Sequence, residues 1–511
     1  FSLLPTPQLE FSDVIVGALE SPAATVAAVE AEFALFDFLR DIYNLTSLTL
    51  MQPVLEVVLD ENGLLTSSVD VTGQGAGVSL GMARISNGSV RLTDLRADEV
   101  FTATRIDGEL KMSSFIGPFQ FQGAADYGDK RYDVRFNSGN VDASGSTRLT
   151  SFFREVNGGF SVNAEGNLLT GAAPKFDGTL TYRQAPPVAD AADDIRGNLV
   201  LESTVSMSTD RVTVSAFTLL PDENRASMRL TGAANIQLGL RREFDAVISG
   251  GVFSLPPRDA TEVASELPYE MVRLLSEIPA PPLPPMPGKL GIDLAEVSLR
   301  GFSLRELRLD AITDGKAWDI QQAVAHMPGD TEVRLSGKVG NDAGAVSFLG
   351  DLAVKAERLD ALSQLWRRAR DNNPLFNTPG ALEGRLMLAG DAFGLSNGRF
   401  TFAGQTHNVE VRLGFGAEPR LDAVLGLGTL TSAQTNALLA LAPDIASEPS
   451  FAVSFPDGSF SLTAKAMDVM GLMAEDFVAE GQWMPNELRF ARLAAANWDG
   501  IGYDLALRLA G

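Results

Sequence analysis

Apolar and polar residues alternate with a period of two along much of the chain. Val409, Val411, Leu413 and Phe415 are apolar, while Glu410 and Arg412 between them are charged. Val333, Leu335 and Val339 alternate with Glu332, Arg334, Ser336 and Lys338; Leu382, Leu386 and Leu388 do so with Glu383 and Arg385. Successive side chains of a strand point to opposite faces, so each segment has one oily and one wet face. The pattern predicts a mainly β protein. Period-3.6 spacing predicts only short helices, at Thr261–Ile278, at about Leu359–Ala369 and at about Ser432–Leu441.

Turn chemistry divides this pattern. Asn87-Gly88 and Asn397-Gly398 sit between alternating residues and predict hairpin turns, and Asp177-Gly178 predicts a turn that ends the first region. Ala185 to Asp194 is a small acidic linker, and Pro279 to Pro287 is a polyproline II stretch, read as a stiff spacer. The expected units are 1–184, 195–287, 290–370, 382–447 and 451–511. Strands followed by one short helix recur three times at irregular spacing, which makes a degenerate repeat. A chain of 511 residues is too long for one ordinary core.

Composition narrows the function. The formal net charge of −24 argues against nucleic acid and against electrostatic docking on an anionic membrane surface. There is no cysteine, which removes disulfide and thiolate chemistry. No apolar run approaches the roughly 18–20 residues that span a bilayer.

Candidate chemistry is sparse. Gly394-Leu395-Ser396-Asn397-Gly398 matches the G-x-S-x-G elbow of hydrolases, but Arg399 to Gly404 reads as a strand where the elbow needs a helix. Gly426-Leu427-Gly428-Thr429-Leu430-Thr431 lacks the third glycine of a dinucleotide loop, and Thr431 or Ser432 as a helix N-cap explains it more simply. His326 and His407 are the only histidines; they lie far apart and read as turn or strand surface residues. No catalytic constellation, metal site or cofactor is expected.

The N-terminal stretch carries an ordered series. It runs from Asp13-Val14-Ile15-Val16-Gly17 through the leucine/phenylalanine block Phe33 to Leu39, then Leu48 to Val57 with Pro53 inside, and the turn Asp60-Glu61-Asn62-Gly63. Ile85 with Asn87-Gly88, and Gly117-Pro118-Phe119, follow. Trp318-Asp319-Ile320 and Met327-Pro328-Gly329-Asp330-Thr331, continuing to Gly337, make a hairpin signature. Together these resemble the AsmA family, whose members begin with a membrane anchor and continue into a periplasmic β-rich body.

The resemblance implies a long, twisted antiparallel sheet curled into a groove, with no enzymatic activity. It implies anchoring to the inner membrane by a helix upstream of Phe1, and partners that are phospholipid acyl chains and the inner and outer membranes. Val333, Leu335, Val339, Leu382, Leu386, Leu388, Val409, Val411, Leu413 and Phe415 would then line the groove. The alternation alone fits a closed sandwich equally well. An outer-membrane protein assembly factor and a non-transporting scaffold are the rival functions.

Overall fold

A computed structural model describes residues 7–34, 45–66, 80–112, 117–186, 197–224, 228–254, 280–299, 302–342, 345–365, 372–414, 420–441, 457–484 and 487–510. Among them 74% lie in strands and 4% in helices, and all 29 strands are assigned to one mixed sheet. The fold is mainly β, as the alternation predicts. Contacts divide the chain into two compact units, Phe1–Val247 and Ile248–Gly511.

In the first unit β1 (Gln8–Ala18) pairs with β2 (Ser21–Phe33), which pairs with β3 (Leu45–Met51) and β4 (Val54–Leu59). Pro53, which has no N–H for a ladder, falls in the break between β3 and β4. β4 also pairs with β5 (Leu65–Thr66), and both β3 and β4 run parallel to β6 (Leu80–Asp94). From β6 the strands meander antiparallel through β7 (Glu99–Met112), β8 (Phe119–Tyr127), β9 (Lys130–Ser138) and β10 (Ser146–Glu155). The meander goes on through β11 (Phe160–Leu169), β12 (Lys175–Gln184), β13 (Leu199–Ser208), β14 (Arg211–Leu220) and β15 (Leu230–Gln237). The division between the units falls inside β16 (Glu243–Ser254).

The second unit opens with β17 (Gly288–Leu299), β18 (Phe302–Thr313), β19 (Trp318–Met327), β20 (Thr331–Asp342) and β21 (Ala345–Ala356). After helix α1 (Leu359–Ser363) come β22 (Gly380–Ala389), β23 (Ala392–Phe402), β24 (Gln405–Gly414) and β25 (Arg420–Thr429), still antiparallel. Helix α2 (Ser432–Leu441) follows, and β25 then runs parallel to β26 (Gly458–Val469). A parallel pair needs a crossover, and α2 lies in it. β27 (Leu472–Met484), β28 (Glu487–Trp498) and β29 (Ile501–Ala510) close the unit antiparallel.

Several expectations are corrected. The sheet is mixed, because β3–β6, β4–β6 and β25–β26 are parallel. Asn87-Gly88 and Asn397-Gly398 are not hairpin turns but bulges inside β6 and β23. Asn87 and Asn397 take φ of 51° and 52°, and the strand register shifts at each place. Asp177-Gly178 lies mid-strand in β12, paired on both sides. Asn and Gly tolerate a left-handed backbone in a bulge as readily as in a turn, so the dipeptide does not separate the two. Helix α1 is shorter than expected, and residues from Trp366 to Asp371, like the helix expected at Thr261–Ile278, lie outside the described residues.

Glycines face each other across three ladders. Gly108 sits opposite Gly123, Gly166 opposite Gly178, and Gly337 opposite Gly350. In each pair a phenylalanine two residues earlier covers the gap. A Cβ on Gly123 would lie 2.8 Å from the Phe121 ring, one on Gly178 2.8 Å from Phe176, and one on Gly350 2.7 Å from Phe348. Strands without Cβ atoms can bend toward that face while the ring fills the space.

The first unit closes on itself at one end. The Leu65 N–H donates to the Ala172 carbonyl in the β11–β12 turn at 2.7 Å. Arg96 in the β6–β7 turn donates to Asp210 at 2.6 Å and to the Thr209 carbonyl at 3.1 Å, in the β13–β14 turn. Arg242 donates two hydrogen bonds to Glu99 at the start of β7. Five strands separate β7 from β13, roughly 29 Å on a flat sheet. These contacts therefore require the sheet to roll up within this unit.

Candidate functional site

The registers assemble one apolar face in each unit. Directly paired residues share a face, so a lateral row can be followed from strand to strand. In the second unit the central row is Leu290, Ala311, Ile320, Gly337, Gly350, Leu386, Leu395, Val411, Ala423, Phe460, Gly481, Phe490 and Leu507. It crosses from β17 to β29 without one polar side chain. Row by row, the nine described candidates join the same face. Val333 leads through Val354 to Leu382, and Val339 through Phe348, Leu388 and Phe393 to Leu413. Leu335 pairs with Leu352, and Val409 with Leu425. Phe415, the tenth candidate, lies outside the described residues.

The first unit repeats the arrangement, which sequence reading did not reach. Leu9, Ala31, Leu48, Ala83, Leu110, Phe121, Phe136, Ser151, Ala164, Leu180, Ser203, Phe217 and Gly232 form its row. The two serines are its only polar members, and Ser203 donates its hydroxyl to the Leu180 carbonyl at 3.2 Å. One residue along, on the other face, run Glu10, Glu30, Thr49, Arg84, Glu109, Gln122, Arg135, Phe152, Asn163, Thr181, Glu202, Thr218 and Thr231. Only Phe152 breaks that polar row. In the second unit the contrast is less complete, since Leu349 and Val424 are exposed on the outer face.

Burial separates an open face from a closed core. Phe121, Phe136, Leu180 and Phe217 are half-buried, as are Leu386, Val411 and Leu413. A second sheet packed on this face, as in a sandwich, would cover such central positions fully. Much of the rest of the face is closed. On β25 to β28 Leu427, Ala464, Phe477 and Ala479 form a buried cluster with Phe460 and Phe490 packed against it, and Ala83, Ser203, Ala311 and Leu395 of the central rows are buried. In the second unit α1 and α2 cover one end, where Leu359, Leu362, Leu365, Phe400, Phe402 and Ala437 form a buried cluster. Leu382 and Val409 pack against it, so these two candidates belong to a closed core rather than an open surface. Val339 is buried as well. In the first unit Thr147, Phe176 and Val205 are buried on the apolar face at the end where the sheet closes.

His407 corrects the expectation of a surface histidine. It takes the inward phase of β24 and is 0% exposed, in a row between Phe400 and the β25 end. The Gly428 N–H donates to its Nδ1 at 3.1 Å, which puts the ring proton on Nε2, a buried atom with no hydrogen-bond partner. Burial pushes its pKa below the ordinary histidine value, with the Phe402 backbone acting weakly the other way. Beside it the Gln405 side chain, not a backbone ladder, holds the Thr429 N–H and carbonyl.

The two motif candidates have structural roles. Ser396 lies inside β23, with a bulge after it and no helix. Thr431 caps α2 through a reciprocal box. The Gln434 N–H donates to Thr431 Oγ1 at 3.3 Å, and the Thr431 N–H to Gln434 Oε1 at 2.9 Å. Phe-x-Gly occurs five times in the sequence, and the three at Phe121, Phe176 and Phe348 are those whose glycine faces another glycine across the ladder. Compared with protein-family models, curated proteins and solved structures, the chain matches none.

Proposed function

We propose that the chain holds phospholipid acyl chains on its apolar face and conducts them between two membranes. The observation that carries this reading is the absence of any charged side chain from a row that crosses β17 to β29, in which Leu386 and Val411 are only half-buried. Exposing a 16-carbon tail to water costs on the order of 12 kcal/mol, at about 0.8 kcal/mol per CH₂. A surface as apolar as the bilayer interior removes that cost without tight binding and without a reacting group. The wet face keeps the protein in solution, and its acidic excess disfavours capture of anionic head groups.

With the AsmA resemblance, this reading makes the protein periplasmic, held at the inner membrane by a helix upstream of Phe1 and serving the outer membrane. Among the described residues no helix is long and apolar enough to cross a membrane. Mass spectrometry of the chain purified without detergent tests the proposal. Co-purifying phospholipid is expected. A lipid-free protein that also fails to take lipid from vesicles would favour an assembly factor or a scaffold.

A further inference from the structure

We propose that the β4–β5 turn, β5 and the β6–β7 turn form a strap over the closed end of the first unit's apolar face, where Thr147, Phe176 and Val205 are buried, and that lifting it admits lipid tails from the side. This rests on the acyl-chain reading. The strap reaches the opposite rim through three ties, which are the Leu65–Ala172 backbone bond, the Arg96 node and the Arg242–Glu99 pair. Arg96 is the centre of the latch. It grips Asp94 on its own side at 2.9 and 2.8 Å and Asp210 on the far side at 2.6 Å. Gly63 lets the β4–β5 turn close over this node. With φ of 77°, it sits where a Cβ would lie 2.7 Å from the Asp210 carboxylate and 2.8 Å from Arg96 Nη1.

Two features make the strap a gate rather than a fixed roof. Its ties to the far rim are few and polar, so lifting it leaves the long β6–β7 ladder whole. A phospholipid also carries a polar head that is costly to draw under a roofed apolar channel. A face open along its side lets the head stay in water while the tails slide in. Loading of the covered end, at Phe176 and Val205, therefore requires the strap to rise.

The chain contains no cysteine, so a single engineered pair, Leu65→Cys with Ala172→Cys, locks the strap and reduction frees it. The probe is phosphatidylethanolamine with a fluorescent tail, offered in phosphatidylethanolamine/phosphatidylglycerol vesicles. Capture is read by photo-crosslinkers at Val205, beneath the strap, and at Val411, in the second unit. The expected result is capture at Val205 slowed about tenfold or more by oxidation and restored by reductant, with capture at Val411 unchanged. Asp210→Asn, which loosens the far-rim tie and keeps the buried Asp94–Arg96 pair, should speed capture at Val205. Equal capture at Val205 in the locked and reduced protein would overturn the gate and leave the acyl-chain reading standing. No capture at either position, locked or reduced, would remove that reading and the gate with it.

Discussion

Arg96 and Asp210 lie 114 residues apart in the chain and meet at 2.6 Å, joining the β6–β7 turn to the β13–β14 turn. The two ends of this contact differ in environment. The side chains of Arg96 and its local partner Asp94 are 7% and 6% exposed, whereas Asp210 is 68% exposed. Arg96→Gln would strand the Asp94 carboxylate in a buried site, so it should destabilise the first unit by about 3–5 kcal/mol. Asp210→Asn should cost under about 1 kcal/mol, as exposed partners do. Urea unfolding of both variants makes the comparison, and equal losses would contradict a buried latch.

Acid should release the strap. The Arg96 guanidinium holds the Asp94 carboxyl below the usual carboxylate range, with burial opposing it. A carboxylate whose folded pKa is depressed contributes stability above its unfolded value, about 3.9, and loses it as pH falls through the folded pKa. Protection of the Leu65 amide, corrected for intrinsic exchange, should be flat above about pH 5 and fall below about pH 4. Protection unchanged through that window would separate the strap from Asp94.

His407 predicts a second, milder acid sensitivity in the other unit. Its pKa is lowered by burial, so the unfolded chain takes up a proton more readily than the folded one. Stability should decline as pH drops below about 6.5, because a protonated ring can no longer accept the Gly428 N–H. His407→Gln, which keeps an acceptor and cannot titrate, should flatten that decline. Thermal melts of the two proteins at pH 7.5 and 5.5 decide it.

The bulge in β23 separates a backbone role from a catalytic one. Ser396→Ala should leave fold and cellular function unchanged, because Ser396 lies inside a strand. Asn397→Val should cost about 1–3 kcal/mol, since a β-branched residue resists the left-handed backbone there. Loss of function in Ser396→Ala with intact folding would reopen the hydrolase reading.

What was legible in the sequence follows from which forces are local. Alternation at Val409 to Leu413 is local, and it identified the strand and its inward phase. The helix at Ser432–Leu441 was legible because an N-cap hydroxyl, Thr431 or Ser432, stands before it, while Gln434, which completes the cap, shows only in the structure. Whether an Asn-Gly makes a turn or a bulge depends on what the neighbouring strand does, so Asn87 and Asn397 were misplaced. The same holds for Leu382 and Val409, whose inward phase was visible but whose roof, α1 and α2, packs from distant positions. The meeting of Arg96 with Asp210 depends on the curl of the intervening strands, and no local pattern announces it.

The most direct test of the acyl-chain account uses β24, where neighbours about 3.4 Å apart face opposite sides. Val411 and Leu413 are half-buried on the apolar face, and Glu410 and Arg412 are exposed on the other. A photo-crosslinking residue is placed at each of the four positions in cells, and phospholipid adducts are counted by mass spectrometry. The account predicts adducts at Val411 and Leu413 and none at Glu410 or Arg412. Equal capture at all four positions, or capture at none, would contradict it.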